Sequence, residues 1–289
     1  MVRIQFSIQL AYDVAPPGAD FIFNLHCAHT RHQTLLTEQL QLNQAVASTL
    51  FVDPATANRY LRLSALAGPL TLNYSASVDL HHHSAPAEQV PEIPVAQLPP
   101  QVLGYIYPSR YCQSDRLGTL AMAEFGALRQ GYGRVLAIQD WVRRQVTFKS
   151  NTSTSATSAV DTLVDRRGVC RDFAHLMIAL CRALNIPARF TTGLDYGADP
   201  ILGPPDFHAY VEVYLGHRWY LFDPSGTAIP MGFVRMGTGR DAADVSFATI
   251  FGGVQSLPPL IQVNAVDDGS GQFMLPQHTA LALSTDPGP

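Results

Sequence analysis

Two long stretches of alternation set the first constraint on the fold. Val2, Ile4, Phe6, Ile8, Leu10 and Tyr12 form one, and Leu70, Leu72, Tyr74, Ala76, Val78 and Leu80 form the other. A strand turns successive side chains to opposite faces, so each run carries one apolar and one polar face. Strands of this kind belong to antiparallel sheets covered on one side. Between them, QTLLTEQLQL and RYLRLSAL supply further strands, and Pro16-Pro17-Gly18 and Asp53-Pro54 mark turns. Residues 1–84 are therefore expected to form an antiparallel β-sandwich or barrel.

The next segment, APAEQVPEIPVAQLPP, is dense in proline, which suppresses both helix and ladder pairing. Residues 85–104 are read as a linker, and 105–289 as a second unit with a C-terminal tail. That unit opens with helical periodicity: a helix capped by Ser114 over about 115–129, and another over about 135–148. Ser158 is placed to cap a short helix carrying Val160, Leu163 and Val164. The clearest helix follows Cys170, where Phe173, Leu176, Met177, Leu180, Cys181 and Leu184 keep the i, i+3, i+4, i+7 spacing until Asn185 and Pro187 stop it. Strand patterns return in ARFTTGLDY, FHAYVEVYL and RWYLFD. Sheet, linker, helices and then sheet again make the fold class α+β.

The 289 residues are 47% hydrophobic and 15% charged, enough apolar content for packed cores. A net charge of −4 and the lack of a long basic block argue against nucleic acid or membrane as a partner. No apolar run reaches spanning length, and the alternating N-terminus does not look like a signal peptide, so a cytoplasmic location is expected. Cys27, Cys112, Cys170 and Cys181 have no C-x-x-C spacing and are expected to be thiols. His81-His82-His83 reads as a strand end, and His26, His29 and His32 read as loop or surface, so neither metal nor cofactor is expected.

Cys170 stands at the start of the clearest helix, after Gly168. Unpaired N–H groups there favour a thiolate, and the Cys170 N–H points where an oxyanion could form. Position alone balances this against a small buried sulfur. Cys181 lies on the apolar stripe, and Cys27 and Cys112 lack the helix-start setting, so all three read as structural. A reactive thiol needs a base. His175 follows by five residues, which at about 100° per residue carries it well round the helix, so it reads as a partly buried histidine bonded to a neighbouring loop.

His208 is the better base. If Leu215 pairs with Arg218 across Gly216-His217, Tyr210 lies opposite Asp223, and His208 becomes a diagonal neighbour of Asp223. A carboxylate there fixes the imidazole tautomer and stabilises the imidazolium. An odd loop without a bulge would put the two on opposite faces, and the alternative for the pair is a solvated hairpin histidine and an Asp-Pro turn.

Five segments together resemble the bacterial transglutaminase-like proteins of the papain-like cysteine peptidase superfamily. They are PSRYCQSDRL (108–117), RRGVCRDFAHLMIALCRALNIPAR (166–189), DFHAYVEVYL (206–215), RWYLFDPS (218–225) and GRDAADVSFATIFG (239–252). The resemblance implies a nucleophile helix packed on an antiparallel sheet behind an N-terminal β domain. It implies Cys170 as nucleophile, His208 as general base and then acid, and Asp223 as orienter, attacking a carboxamide or peptide carbonyl of a peptide or protein substrate to give a thioester. Water or an amine then takes the acyl group, so the expected activity is hydrolytic, with a glutamine-directed acyltransferase and a non-catalytic binding module as alternatives. Tyr196, Asp206, Phe207 and Trp219 are candidate cleft residues by proximity. Trp141 and the cluster of Arg240, Asp241 and Asp244 read as structural.

Overall fold

A computed structural model describes residues 1–197, 205–267, 269 and 274–286. The N-terminal half is built from β1 (Val2–Val14), β2 (Ala19–Phe23), β3 (Gln33–Leu42), β4 (Ser48–Val52), β5 (Arg59–Ala65) and β6 (Gly68–Leu80). The two alternating runs become β1 and β6, paired antiparallel from Val2↔Leu80 to Val14↔Gly68. β3 adds to the far edge of β6, while β2, β5 and β4 form a second sheet. The even-numbered side chains of both long strands meet Phe21, Phe23, Leu61 and Leu63 of that sheet in one core. Tyr12, for example, lies 5.1 Å from Phe21 between ring centroids. The sandwich follows from apolar faces that alternation created and that only a second sheet could cover.

Residues 85–104 differ from the expected linker. After β7 (His83–Ala85) the chain forms three short 3-10 turns and lies along the second unit, burying Val90, Leu98 and Val102. Proline removes N–H donors without preventing a strap from packing its apolar side chains. The carbonyls of Val90 and Pro91 accept from Tyr132 and Gly216, and Glu92 pairs with Arg134.

Four helices follow: α1 (Gly118–Phe125), α2 (Tyr132–Gln145), α3 (Ala159–Asp165) and α4 (Cys170–Ala183). The first is shorter than expected, because Ser114 starts a separate 3-10 turn and does not cap it. Ser158 does cap α3, with its Oγ accepting from Asp161 N–H and Asp161 Oδ2 accepting from Ser158 N–H at 2.9 Å. Two short strands, β8 (Thr147–Phe148) and β9 (Arg167–Gly168), pair in parallel and bring the chain after α2 beside the start of α4. Every residue of α4 from Asp172 to Arg182 is buried, and Asn185 ends it with φ of 60°.

The α4 helix packs on a sheet of β10 (Ala188–Leu194), β11 (His208–Leu215), β12 (Arg218–Phe222) and β13 (Val234–Gly239), in the order β12-β11-β10-β13. The remaining strands correct the expected domain boundary. β14 (Ala248–Phe251) pairs with β2, and β15 (Val254–Ser256) and β16 (Leu260–Ala265) pair with β1. The chain thus returns to the N-terminal sandwich, so 105–289 is not one self-contained unit. Without this return β1 would be a bare edge of unpaired N–H and C=O groups. β17 (Ala282–Ser284) pairs with β7 and covers part of the β12-β11-β10-β13 sheet.

Candidate active site

Cys170 is the first residue of α4 and is partly exposed, whereas Cys27, Cys112 and Cys181 are fully buried. Burial pushes the Cys27 and Cys112 thiols up to about 12, and Cys181 higher still, which keeps all three protonated. The helix start is fixed by Asp172, whose Oδ2 accepts from Val169 N–H at 2.8 Å. Gly168 is needed for space, not for an unusual backbone angle: a Cβ there would lie 2.6 Å from that of Asp172. The N–H groups of Cys170 and Arg171, in the first turn, have no intrahelical acceptor and are available to an oxyanion.

The β11–β12 hairpin has the expected register, with Leu215 opposite Arg218 and Val211 opposite Phe222. His208 opens β11, and its Nε2 lies 3.4 Å from Asp223 Oδ1. Asp223 is itself tethered: Ser225 Oγ and N–H donate to Oδ1 at 2.5 and 3.1 Å, and Ala228 N–H donates to Oδ2 at 3.1 Å. Burial opposes a charge on His208, but the Asp223 carboxylate and the Cys170 thiol outweigh it and hold the imidazole well above its ordinary range. Burial likewise opposes a charged Asp223, and His208 with the Ser225 and Ala228 donors keeps its carboxyl below the usual range. Nε2 makes no hydrogen bond of good geometry. Such contacts tighten when substrate arrives.

Sequence reasoning missed Asp195. It follows β10, is 5% exposed, and places Oδ2 3.4 Å from His208 Nδ1, across the ring from Asp223. Only the strand pairing reveals this, because Gly193 sits opposite His208 in the β10–β11 ladder.

His175 is confirmed as a structural residue. It is fully buried, stacks on Tyr111 at 5.0 Å, and accepts from Ala242 N–H at 3.1 Å through Nε2. Burial, reinforced by Arg171 and Arg182, drives its pKa well below the ordinary value, so it stays neutral. His26 departs from the expected surface setting: it is 3% exposed against Tyr74, and burial lowers it to about 4. Among the described residues no group of three or more His, Cys, Asp or Glu could hold a metal.

A groove of about 750 Å³ runs past Cys170, Asp195 and His208. Its walls include the polar loop at 150–155 and the stacked pair Phe207 and Phe247, whose rings are 4.5 Å apart. Of the candidate cleft residues, Asp206 and Phe207 line it, and Tyr196 and Trp219 do not. Tyr196 packs towards the sandwich core. Trp219 is four residues from Asp223 along an extended strand, roughly 13 Å, and lies buried under the Arg189 guanidinium and the strap. Trp141 donates to Glu124, and Asp241 accepts from Tyr111 and Ala243 while Arg240 pairs with Asp244, all structural contacts.

Comparison with known proteins agrees with this architecture. Residues 122–224 match the family described as the transglutaminase-like superfamily, and residues 2–101 match the N-terminal domain of bacterial transglutaminase. The crystal structure of a candidate cysteine protease from Cytophaga hutchinsonii is 38% identical and superposes with a TM-score of 0.89, covering 98% of this chain and 97% of that one. An uncharacterised protein of Mycobacterium leprae is 32% identical over 117 residues, 39% of this chain and 42% of its own. One from Mycobacterium tuberculosis is 32% identical over 110 residues, 34% and 35% of the two chains. The match spans less than half the length of these mycobacterial relatives.

Proposed function

The chain belongs to the bacterial transglutaminase-like proteins, and from that premise we propose that it is a cysteine amidase or peptidase acting through a thioester on Cys170. The observation that carries the reading is the His208 imidazole, turned through Nε2 to a tethered Asp223 and lining one groove with the Cys170 thiol at the start of α4. A thiol at a helix N-terminus beside an imidazolium is a thiolate nucleophile. Its sulfur attacks the carbonyl carbon, and the oxygen takes up negative charge facing the first-turn N–H groups. As the C–N bond breaks, His208 gives its proton to the departing amine, leaving an acyl thioester. His208 then takes a proton from water as the water oxygen attacks. The acid leaves and the thiolate–imidazolium pair is restored. The groove is open, and its wall at 150–155 is made of Ser, Thr and Asn, so water reaches the thioester.

Incubation with a cell-derived peptide mixture and a labelled amine, followed by mass spectrometry, tests this reading. Free acid is expected, and Cys170→Ala abolishes it. Activity that survives this change overturns the thioester route, and amine adducts in place of acid reassign the protein as an acyltransferase.

A further inference from the structure

We infer that Asp195 is a positioning residue that brackets the His208 imidazole from the side opposite Asp223 and sets the pH window in which the thiol and imidazole work. This rests on the triad reading above, although its test uses no substrate.

The geometry is symmetric about the ring, with Nε2 3.4 Å from Asp223 and Nδ1 3.4 Å from Asp195. The two carboxylates are held differently. Asp223 accepts from Ser225 and Ala228, whereas among the described residues His208 is the one charged group paired with Asp195. Burial, with Asp223 and Asp206 nearby, raises the pKa of the Asp195 carboxyl, and a charged His208 opposes that rise, so Asp195 and a charged His208 support each other.

The backbone is shaped to place it. The β10–β13 register shifts between Thr192 and Gly193, and a Cβ on Gly193 would lie 2.1 Å from the Val234 carbonyl oxygen. Only glycine permits that close approach, and such a bulge re-aims the residues that follow it. Gly193 is paired with His208, so the displaced segment brings Asp195 over the ring.

The groups facing His208 are Cys170 from α4, Asp195 from the end of β10 and Asp223 from the end of β12. Asp206, just ahead of β11, adds negative charge near Asp195. The neighbouring Arg171 is engaged by Asp172, Ser153 and the Thr154 carbonyl. In this setting a negative Asp195 favours the imidazolium, which moves the loss of the His208 proton to higher pH.

The test follows the His208 ring-proton resonance through a pH titration of the full chain, identified by its loss in His208→Gln. Asp195→Asn is expected to lower the midpoint by about one pH unit or more, at least tenfold in proton affinity. Asp195→Glu should recover part of the shift. A folded Asp195→Asn chain whose midpoint does not move overturns the proposal, as do equal shifts in Asn and Glu variants. Should Asp195→Asn fail to fold, a chain carrying both Asp223→Asn and Cys170→Ala gives the answer. Asp195 alone must then hold His208 above about 6.5, the ordinary value, and a midpoint at or below that overturns it.

Discussion

Two sets of buried charges sit on the same four-stranded sheet, and they are built to different standards. Glu212, four residues beyond His208 on β11, is fully buried between two arginines. It accepts from Arg189 Nε at 2.7 Å and lies 3.4 Å from Arg235, while Asp286 closes the set at 2.6 Å to Arg189 and 2.8 Å to Arg235. Arg189 also covers the Trp219 ring at 4.1 Å. Two cations meet two anions at hydrogen-bond range, so the charges themselves are matched, although Arg235 Nε is buried without a hydrogen-bond partner among the described residues. At His208 one imidazole lies between two carboxylates at longer range, with Nε2 lacking a directional partner and the groove alongside. The first set balances its charges and locks the C-terminal segment to the sheet. The second keeps unused capacity beside solvent, which a group that must gain and lose a proton requires.

Cutting each set should therefore damage a different property. The largest effect is expected from Asp223→Asn, which should reduce turnover by about 10³-fold or more with only a small change in melting temperature. The pH profile should change as well. Because His208 is held above its ordinary range, its proton is retained below about 6.5 and lost only as pH rises through the raised value. The alkaline limb of wild-type activity should lie above that point and move to lower pH in the variant. Kinetics across a pH series checks both.

Glu212→Gln should do the reverse. It leaves two buried guanidinium groups short of negative charge, at a cost of about 3–5 kcal/mol, or a melting point lower by roughly 10 °C. Alkylation of Cys170 and the His208 midpoint should be unchanged. Calorimetry beside alkylation rates separates the outcomes, and equal losses in both would mean the two sets act as one. The smallest effect is expected from His175→Gln, because its ring is neutral throughout. The lost Ala242 bond should cost about 1–3 kcal/mol, seen in denaturant melts, without moving either limb of the pH profile.

The site was partly legible in the sequence because its main pieces depend on local periodicity. The stripe of α4 separated Cys170 from Cys181, helical rotation removed His175, and an even hairpin count placed His208 near Asp223. Asp195 was not legible, since its position depends on a β10–β11 pairing across residues 195–207 that no local pattern fixes. Trp219 was misplaced because nearness along the chain was taken for nearness in space, and an extended strand carries four residues roughly 13 Å. The strap at 85–104 was misread because proline content reports missing donors and says nothing of packing.

The sequence by itself determined the elements and their faces: the two long strands, the nucleophile helix, the hairpin register and the family they resemble. These rest on periods of 2 and 3.6 residues, which side-chain chemistry writes along a chain. Tertiary structure alone decided that β14, β15 and β16 return to close the N-terminal sandwich, that Glu212 is locked between arginines, and that a second carboxylate reaches His208. Those outcomes depend on which edges and charges meet after folding, and contacts between distant segments leave no period to read.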